Sequence, residues 1–237
     1  MKLKALPVLV LLIAACSGNG DMQETQDPTP APASTSTVVV ESPIEEPTQK
    51  TTAQVEANQS SQFVIQAESS EVRFYIDEVL RGQPKKVEGI TQEISGSVLI
   101  ESLDPLSVSI QPIEIQAGTF VTDNNFRNRA ISDAILQTGR YPTIVFTPTD
   151  IDGLPDSAKP GSTYSFDVTG DLKIRDITLP ATFQVTLIAQ SEDVLSGSAA
   201  ATINRTDYGL NIPSVPQVAD VSEQVLLEFD FNASRSG

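Results

Sequence analysis

Tyr164-Ser165-Phe166-Asp167-Val168-Thr169-Gly170-Asp171-Leu172-Lys173-Ile174-Arg175-Asp176-Ile177-Thr178-Leu179-Pro180-Ala181-Thr182-Phe183-Gln184-Val185-Thr186-Leu187 is the stretch that decides the fold class. On each side of Arg175-Asp176 the apolar or small residues fall on every second position, with Ser, Asp, Thr, Lys and Gln between them. That period belongs to strands with one wet and one dry face, and hence to an antiparallel sheet. Arg175-Asp176 reads as the turn between two of them.

The same alternation recurs outward from this hairpin. Leu195, Gly197, Ala199, Ala201 and Ile203 keep it, as do Val225, Leu227, Phe229 and Phe231. Further runs at 63–66, 72–80, 92–101, 106–115 and 141–149 bring the expected strands to about nine. Within 106–115 the apolar parity switches from Val108 and Ile110 to Ile113 and Ile115, which places a bulge or bend at Pro112. Ile151-Asp152-Gly153-Leu154-Pro155 and Lys159-Pro160-Gly161 read as turns. Asp150-Ile151-Asp152-Gly153 lacks the third oxygen ligand and the closing Glu of a calcium loop, so a turn is the better reading there too. Many short strands with small residues on their dry faces favour a closed barrel with a lumen over a packed sandwich.

One segment departs from the period of two. Phe126, Ala130, Ile131, Ala134 and Ile135 recur at helical spacing after Thr122-Asp123-Asn124-Asn125. Thr122 or Asp123 is the expected cap and Gly139 the expected stop. A single amphipathic helix in a barrel covers an open end or packs outside, and is the first candidate for a movable cover. The expected fold class is therefore all-β: an antiparallel β-barrel with one short helix, spanning 61–237.

Two segments precede it. In residues 1–16, Lys2 and Lys4 lead into an apolar run from Ala5 to Ala15, too short to span a bilayer, and Ile13-Ala14-Ala15-Cys16 resembles a bacterial lipobox. The expectation is a cleaved signal peptide and acylation of Cys16, hence export and lipid anchoring to the bacterial cell envelope on its periplasmic or cell-surface face. Residues 17–60 are rich in Pro, Ser and Thr and hold none of the 9 Phe and 4 Tyr, a composition expected of a disordered tether.

Composition excludes whole classes of chemistry. There is no His, so triad hydrolases and His-liganded metal sites are out. A single Cys makes no intramolecular disulfide and no Cys-only metal site. A net charge of -16 argues against nucleic acid. No nucleophile elbow, phosphate loop or dinucleotide fingerprint appears, and carboxylate pairs among so many acids carry no specificity. A binding module remains, non-enzymic, with no metal and no cofactor. Phe74, Phe126, Phe146, Phe166, Phe183 and Phe229 are the candidate lumen residues. Arg127, Arg129 and Arg205 are the candidates for an anionic head group, since Arg forms paired hydrogen bonds to phosphate and carboxylate. The expected partner is a lipid-like molecule with a long apolar part. The alternative is a structural or protein-interaction domain with a filled barrel, displayed at the cell surface.

The order of motifs also resembles a known family. Ser70-Glu71-Val72-Arg73-Phe74-Tyr75-Ile76, Ile94-Ser95-Gly96-Ser97-Val98, Asp123-Asn124-Asn125-Phe126-Arg127-Asn128-Arg129-Ala130, Tyr141-Pro142-Thr143-Ile144-Val145-Phe146, Val168 to Thr178 and Arg205-Thr206-Asp207-Tyr208-Gly209-Leu210 are similar to successive motifs of YceI-like proteins. The resemblance implies a lipocalin-like barrel in the bacterial envelope that binds polyisoprenoid or other long amphiphilic lipids. Arg175-Asp176 stands where many members carry His-Gly or Arg-Gly, so relatives that depend on histidine are poor guides to this chain.

Overall fold

The computed structural model describes residues 60–103 and 105–236. The signal, Cys16 and the tether expected from sequence lie outside the described residues. Thirteen strands follow one another: β1 (Ser61–Ile65), β2 (Glu71–Leu80), β3 (Gln83–Thr91), β4 (Ile94–Ser95), β5 (Ser97–Leu103), β6 (Leu106–Ile110), β7 (Ile113–Gln116), β8 (Thr143–Asp152), β9 (Thr163–Ile174), β10 (Ile177–Ala189), β11 (Val194–Asn204), β12 (Val218–Ala219) and β13 (Gln224–Arg235). All pairings are antiparallel, and the main path runs β4-β7-β8-β9-β10-β11-β13-β1-β5-β6.

The count exceeds nine because two runs are kinked and because β3 and the two-residue β12 lie outside the expected runs. β4 and β5 are one run broken at Gly96, and β6 and β7 are one run broken at Gln111-Pro112. The two kinked runs form one hairpin, so the sheet curls until its ends meet in it. At Gly96 a Cβ would stand 2.4 Å from Ile113 Cδ1, so glycine closes the kink without moving the end of that side chain. The parity switch at Pro112 is the sequence image of the other kink. β3 is the strand the periodicity did not show, because Pro84, Lys85, Lys86 and Glu88 make it polar. It joins β2 through Arg81-Gly82, both at positive φ (53° and 77°), the two-residue turn whose twist suits a hairpin.

β13 has two partners along one edge. Leu226–Asp230 pair with β2, and Ala233–Arg235 pair with β1. Between them Ser70, only 1% exposed, stands in for a strand: Asn232 N–H donates to its Oγ at 3.0 Å, and that hydroxyl donates to Asn232 O at 3.3 Å. The buried hydroxyl is stable there because it is itself paired as donor and acceptor, while Asn232 O also accepts from Gln66 N at 2.8 Å.

Gly170 on β9 is a required glycine. A Cβ there would lie 2.4 Å from Thr147 O and 2.8 Å from Pro148 Cα, both backbone atoms of the neighbouring strand. Gly170→Ala is expected to destabilise the barrel by about 3 kcal/mol, read as a lowered denaturant midpoint at unchanged slope, since backbone cannot yield as a side chain would.

The helical segment is a short α-helix, α1 (Asn125–Arg129), that widens into a π turn over Ala130–Ile135, with Leu136 N bonding Ile131 O at 2.7 Å. Its cap is Asn124 in place of the expected Thr122 or Asp123: the Asn124 Oδ1 accepts from Phe126 N and Arg127 N, while Thr122 Oγ1 bonds the Asn128 side chain. Gln137, at φ 53°, takes the left-handed position expected of Gly139. Ile131 and Leu136 are buried in the main core with Ile174, Ile203, Tyr208, Leu210 and Val225, so the segment stoppers the end of the barrel at which the β9–β10 turn lies.

Candidate functional site

Alternation along each strand sends one set of side chains inward, and these do not meet in the middle. They leave a cavity of about 530 Å³ that opens at the end opposite the helix. Its wall is almost wholly apolar: Phe63 and Ile65 of β1, Val98 and Ile100 of β5, Val108 and Ile110 of β6, Ile113 and Ile115 of β7, Phe166 and Val168 of β9, Val185 and Leu187 of β10, and Leu227, Phe229 and Phe231 of β13. The barrel is therefore not filled by its own side chains.

Four of the six predicted lumen phenylalanines, Phe146, Phe166, Phe183 and Phe229, line this space. Phe146 and Phe183 meet edge to face at 4.8 Å between ring centroids. Phe126 is corrected: it is 78% exposed on the helix, with Arg129 stacked on its ring at 5.7 Å. Phe74 is also displaced from the cavity wall. Its ring covers Gly89 of β3 and packs against Phe120 at 5.4 Å, so the hairpin missed in the sequence is what takes it away. Four lining aromatics lay outside the candidate set. Phe63, Tyr164 and Phe231 belong to strand runs and were legible; Phe120 follows a 3-10 turn, Ala117–Thr119, with no periodicity to mark it.

Small residues in the wall play two different roles. Ala199 faces open cavity. Gly197 does not, because the Phe231 ring lies over it, with a Cβ there only 2.7 Å from Phe231 Cζ. Gly170 is likewise covered by Phe146. A dry-face glycine in this barrel is a seat for a neighbouring ring more than a void.

The three predicted head-group arginines are all drawn elsewhere, and none lines the cavity. Arg127 pairs with the nearly buried Glu78 at 2.9 Å and with Asp123. Asp123 also takes a hydrogen bond from Lys85, which with the nearby Arg127 charge holds its carboxyl below the usual range. Arg205 donates from Nε to Ser222 O at 2.9 Å, from Nη1 to Leu210 O at 3.1 Å and from Nη2 to Val221 O at 3.3 Å, so it clamps the loop between β11 and β13. Arg175, at φ 59° in the β9–β10 turn, donates to Ile135 O and Gly209 O, each at 3.2 Å, and ties the helix to the same end. On the outer face the Tyr75 hydroxyl donates to Glu88 at 2.8 Å, which pushes its pKa up to about 12. Of the polar residues that line the cavity, Ser61, Ser102, Lys159, Ser191, Glu192 and Arg235 gather at its mouth, while Arg73 and Glu228 face one another across β2 and β13. Arg235 is held over the Phe63 ring at 5.7 Å and 3.4 Å from Asp193.

The model of the YceI-like domain matches residues 63–233 of this sequence, the whole span of the curled sheet. The chain belongs to the YceI-like family. Among curated YceI-like relatives, the UPF0312 protein of Pseudomonas putida is 25% identical over 133 residues, which cover 54% of this chain and 65% of that protein. The UPF0312 protein PSPA7_0523 of Pseudomonas paraeruginosa is 26% identical over 141 residues, covering 56% and 68%. The chain thus spans just under two thirds of the first of these relatives. Two solved structures share the fold. A polyisoprenoid binding domain from Saccharophagus degradans, implicated in plant cell wall breakdown, superposes with a TM-score of 0.57 at 15% identity, over 73% of this chain and 98% of that one. BcnA of Burkholderia cenocepacia superposes at 0.53 with 20% identity, over 72% and 99%.

Proposed function

We propose that this YceI-like protein is a non-enzymic carrier of one long-chain apolar or amphiphilic lipid, polyisoprenoid-like, held in the barrel with its polar end at the mouth. The observation that carries the reading is the cavity of about 530 Å³ walled mostly by aliphatic and phenyl side chains, with most of its few polar groups at the mouth. Water entering at the mouth finds few polar partners inside, and apolar cavities of this kind stay dry. A chain of methylenes or isoprene units supplies the missing contacts at little polar cost. The polyisoprenoid-binding neighbour of the same fold supports the ligand class.

In the same reading the protein is exported and held to the envelope through acylated Cys16, with residues 17–60 as the tether. The motif at Ile13-Ala14-Ala15-Cys16 supports it. Cys16→Ser is expected to move the protein from the membrane fraction to the soluble fraction of cells.

The ligand is tested directly. The full chain, purified without added lipid, is extracted with organic solvent and the extract analysed by mass spectrometry, then offered geranylgeraniol. Recovery or uptake of a stoichiometric lipid is expected. A protein that neither carries lipid nor takes it up would make a non-binding structural or interaction domain the better reading.

A further inference from the structure

The barrel ladder has a gap on one side. β7 pairs with β8 from Gln116 opposite Thr143 to Ile113 opposite Phe146, and there the pairing stops. Beyond that point β6 pairs only with β5, and Thr147 to Asp152 of β8 pair only with β9. Proline stands on both lips at the apex, Pro112 and Pro148, and neither has an N–H with which to continue the ladder. The gap widens toward the mouth. Leu106, Val108 and Ile110 form one lip and Pro148 the other, and all four line the cavity.

The wide end is crossed by a single segment, Leu154 to Pro160. Leu154, Pro155, Ala158, Lys159 and Pro160 line the cavity beneath it. Two backbone hydrogen bonds fasten it to the β5–β6 hairpin: Leu106 N donates to Asp156 O at 2.7 Å, and Ala158 N donates to Leu103 O at 3.2 Å. One side chain fastens it from within. Tyr164 Oη accepts from Lys159 N at 2.7 Å and donates to Lys159 O at 3.3 Å, while its ring packs with Phe63 and Leu195. The segment begins and ends at glycines in the left-handed region, Gly153 at φ 88° and Gly161 at φ 81°. No residue between them is fully buried. Few contacts, few hydrogen bonds and glycine at both ends are the features of a segment that opens without unfolding the rest. The helix at the other end is the opposite case, pinned by Arg175, by the Arg127–Glu78 pair and by its buried Ile131 and Leu136.

We infer that Leu154–Pro160 is a hinged strap over the ligand entrance, latched by Tyr164, and that lipid enters and leaves sideways between β6 and β8 when the latch releases. This rests on the cavity being the ligand site. Lateral entry suits a long chain, which slides between two apolar lips without first being threaded lengthwise through a rim bearing Lys159, Glu192 and Arg235. Tyr164 is a positioning residue here: it holds the strap, and its hydroxyl does not bind the lipid.

The test measures exchange rates of the neutral apolar fluorophore N-phenylnaphthylamine with the full chain by stopped flow. Tyr164→Phe removes the hydroxyl and keeps the ring. Association and dissociation are both expected to accelerate, by about three- to tenfold for loss of a bond of this strength, with Kd changing less than either rate. Amide exchange at Ala158 and Lys159 should quicken with them. Phe126→Ala, at the helix end and outside the cavity, should leave both rates as they are. Unchanged rates in Tyr164→Phe overturn the strap, as does an equal acceleration in Phe126→Ala, which would place entry at the helix. Dissociation alone rising would make Tyr164 a ligand contact and overturn the latch. If the wild-type chain does not take up the fluorophore, the cavity reading fails first and the strap falls with it; uptake with unaltered variant rates removes the strap alone.

Discussion

Ala199→Phe is expected to abolish lipid uptake while leaving the barrel folded. Ala199 sits on β11 between Val185 of β10 and Phe229 of β13, with its methyl facing the cavity. Inserting a ring into a packed core forces neighbours off their rotamers and costs about 1–3 kcal/mol. Here the ring has empty space to enter, and it takes the volume a lipid chain would use. The thermal midpoint should therefore move by no more than a few degrees, and burial of the ring could raise it. Binding of geranylgeraniol should fall below detection. Thermal unfolding and ligand titration on the same sample separate the two readings of the domain. A filled, structural barrel would show the reverse, with a large loss of stability and no binding to lose.

Arg205→Ala should have the largest effect on stability, about 3 kcal/mol or more, with ligand affinity of the remaining folded protein unchanged. The guanidinium satisfies the carbonyls of Leu210, Val221 and Ser222 at once. Each hydrogen bond to a charged donor contributes about 1.5–3 kcal/mol, and the carbonyls left behind are partly buried. Tyr208 and Leu210, 2% and 8% exposed, lose the loop geometry that seats them in the core. Arg205→Lys should recover only part of the loss, because one ammonium cannot reach three carbonyls in the fork geometry of arginine. Denaturant unfolding of the three proteins checks the order wild type, lysine, alanine. A head-group ligand would behave differently, losing affinity with little change in stability, so the experiment also decides between the role first expected of Arg205 and the one its contacts describe.

Much of the architecture was legible because it depends on period and parity, which are local. The alternation in β9, β10 and β13 and the run of β8 identified the inward face, and their residues Phe146, Phe166, Phe183 and Phe229 do line the cavity. The parity change at Pro112 marked a kink that proved necessary for curling the sheet. β3 escaped notice for a physical reason: it lies far from the cavity, much of it faces solvent, and its Lys and Glu side chains carry no apolar rhythm. The helix was visible from its spacing, yet its cap shifted to Asn124, because Thr122 is engaged with Asn128.

The sites divide along the same line. Charge type and spacing named Arg127, Arg129 and Arg205 as head-group candidates, whereas long-range contacts occupy two of them: Glu78 is 49 residues from Arg127, and Val221 and Ser222 are 16 and 17 residues from Arg205. No local pattern announces such partners. The strap shows the same limit. Its two turns, at Gly153 and Lys159-Pro160-Gly161, were readable, but the gap it crosses exists only where β6 and β8 fail to pair.

From residue order alone came the antiparallel class, the dry face, the exclusion of histidine and disulfide chemistry, and the lipobox-like Cys16, since each needs only composition or neighbouring residues. The empty interior, the rings seated on Gly170 and Gly197, the arginines spent on loops and the opening beneath Tyr164 belong to the tertiary structure. They are set by which strands meet, at what register, and how far the sheet must curl before its ends join.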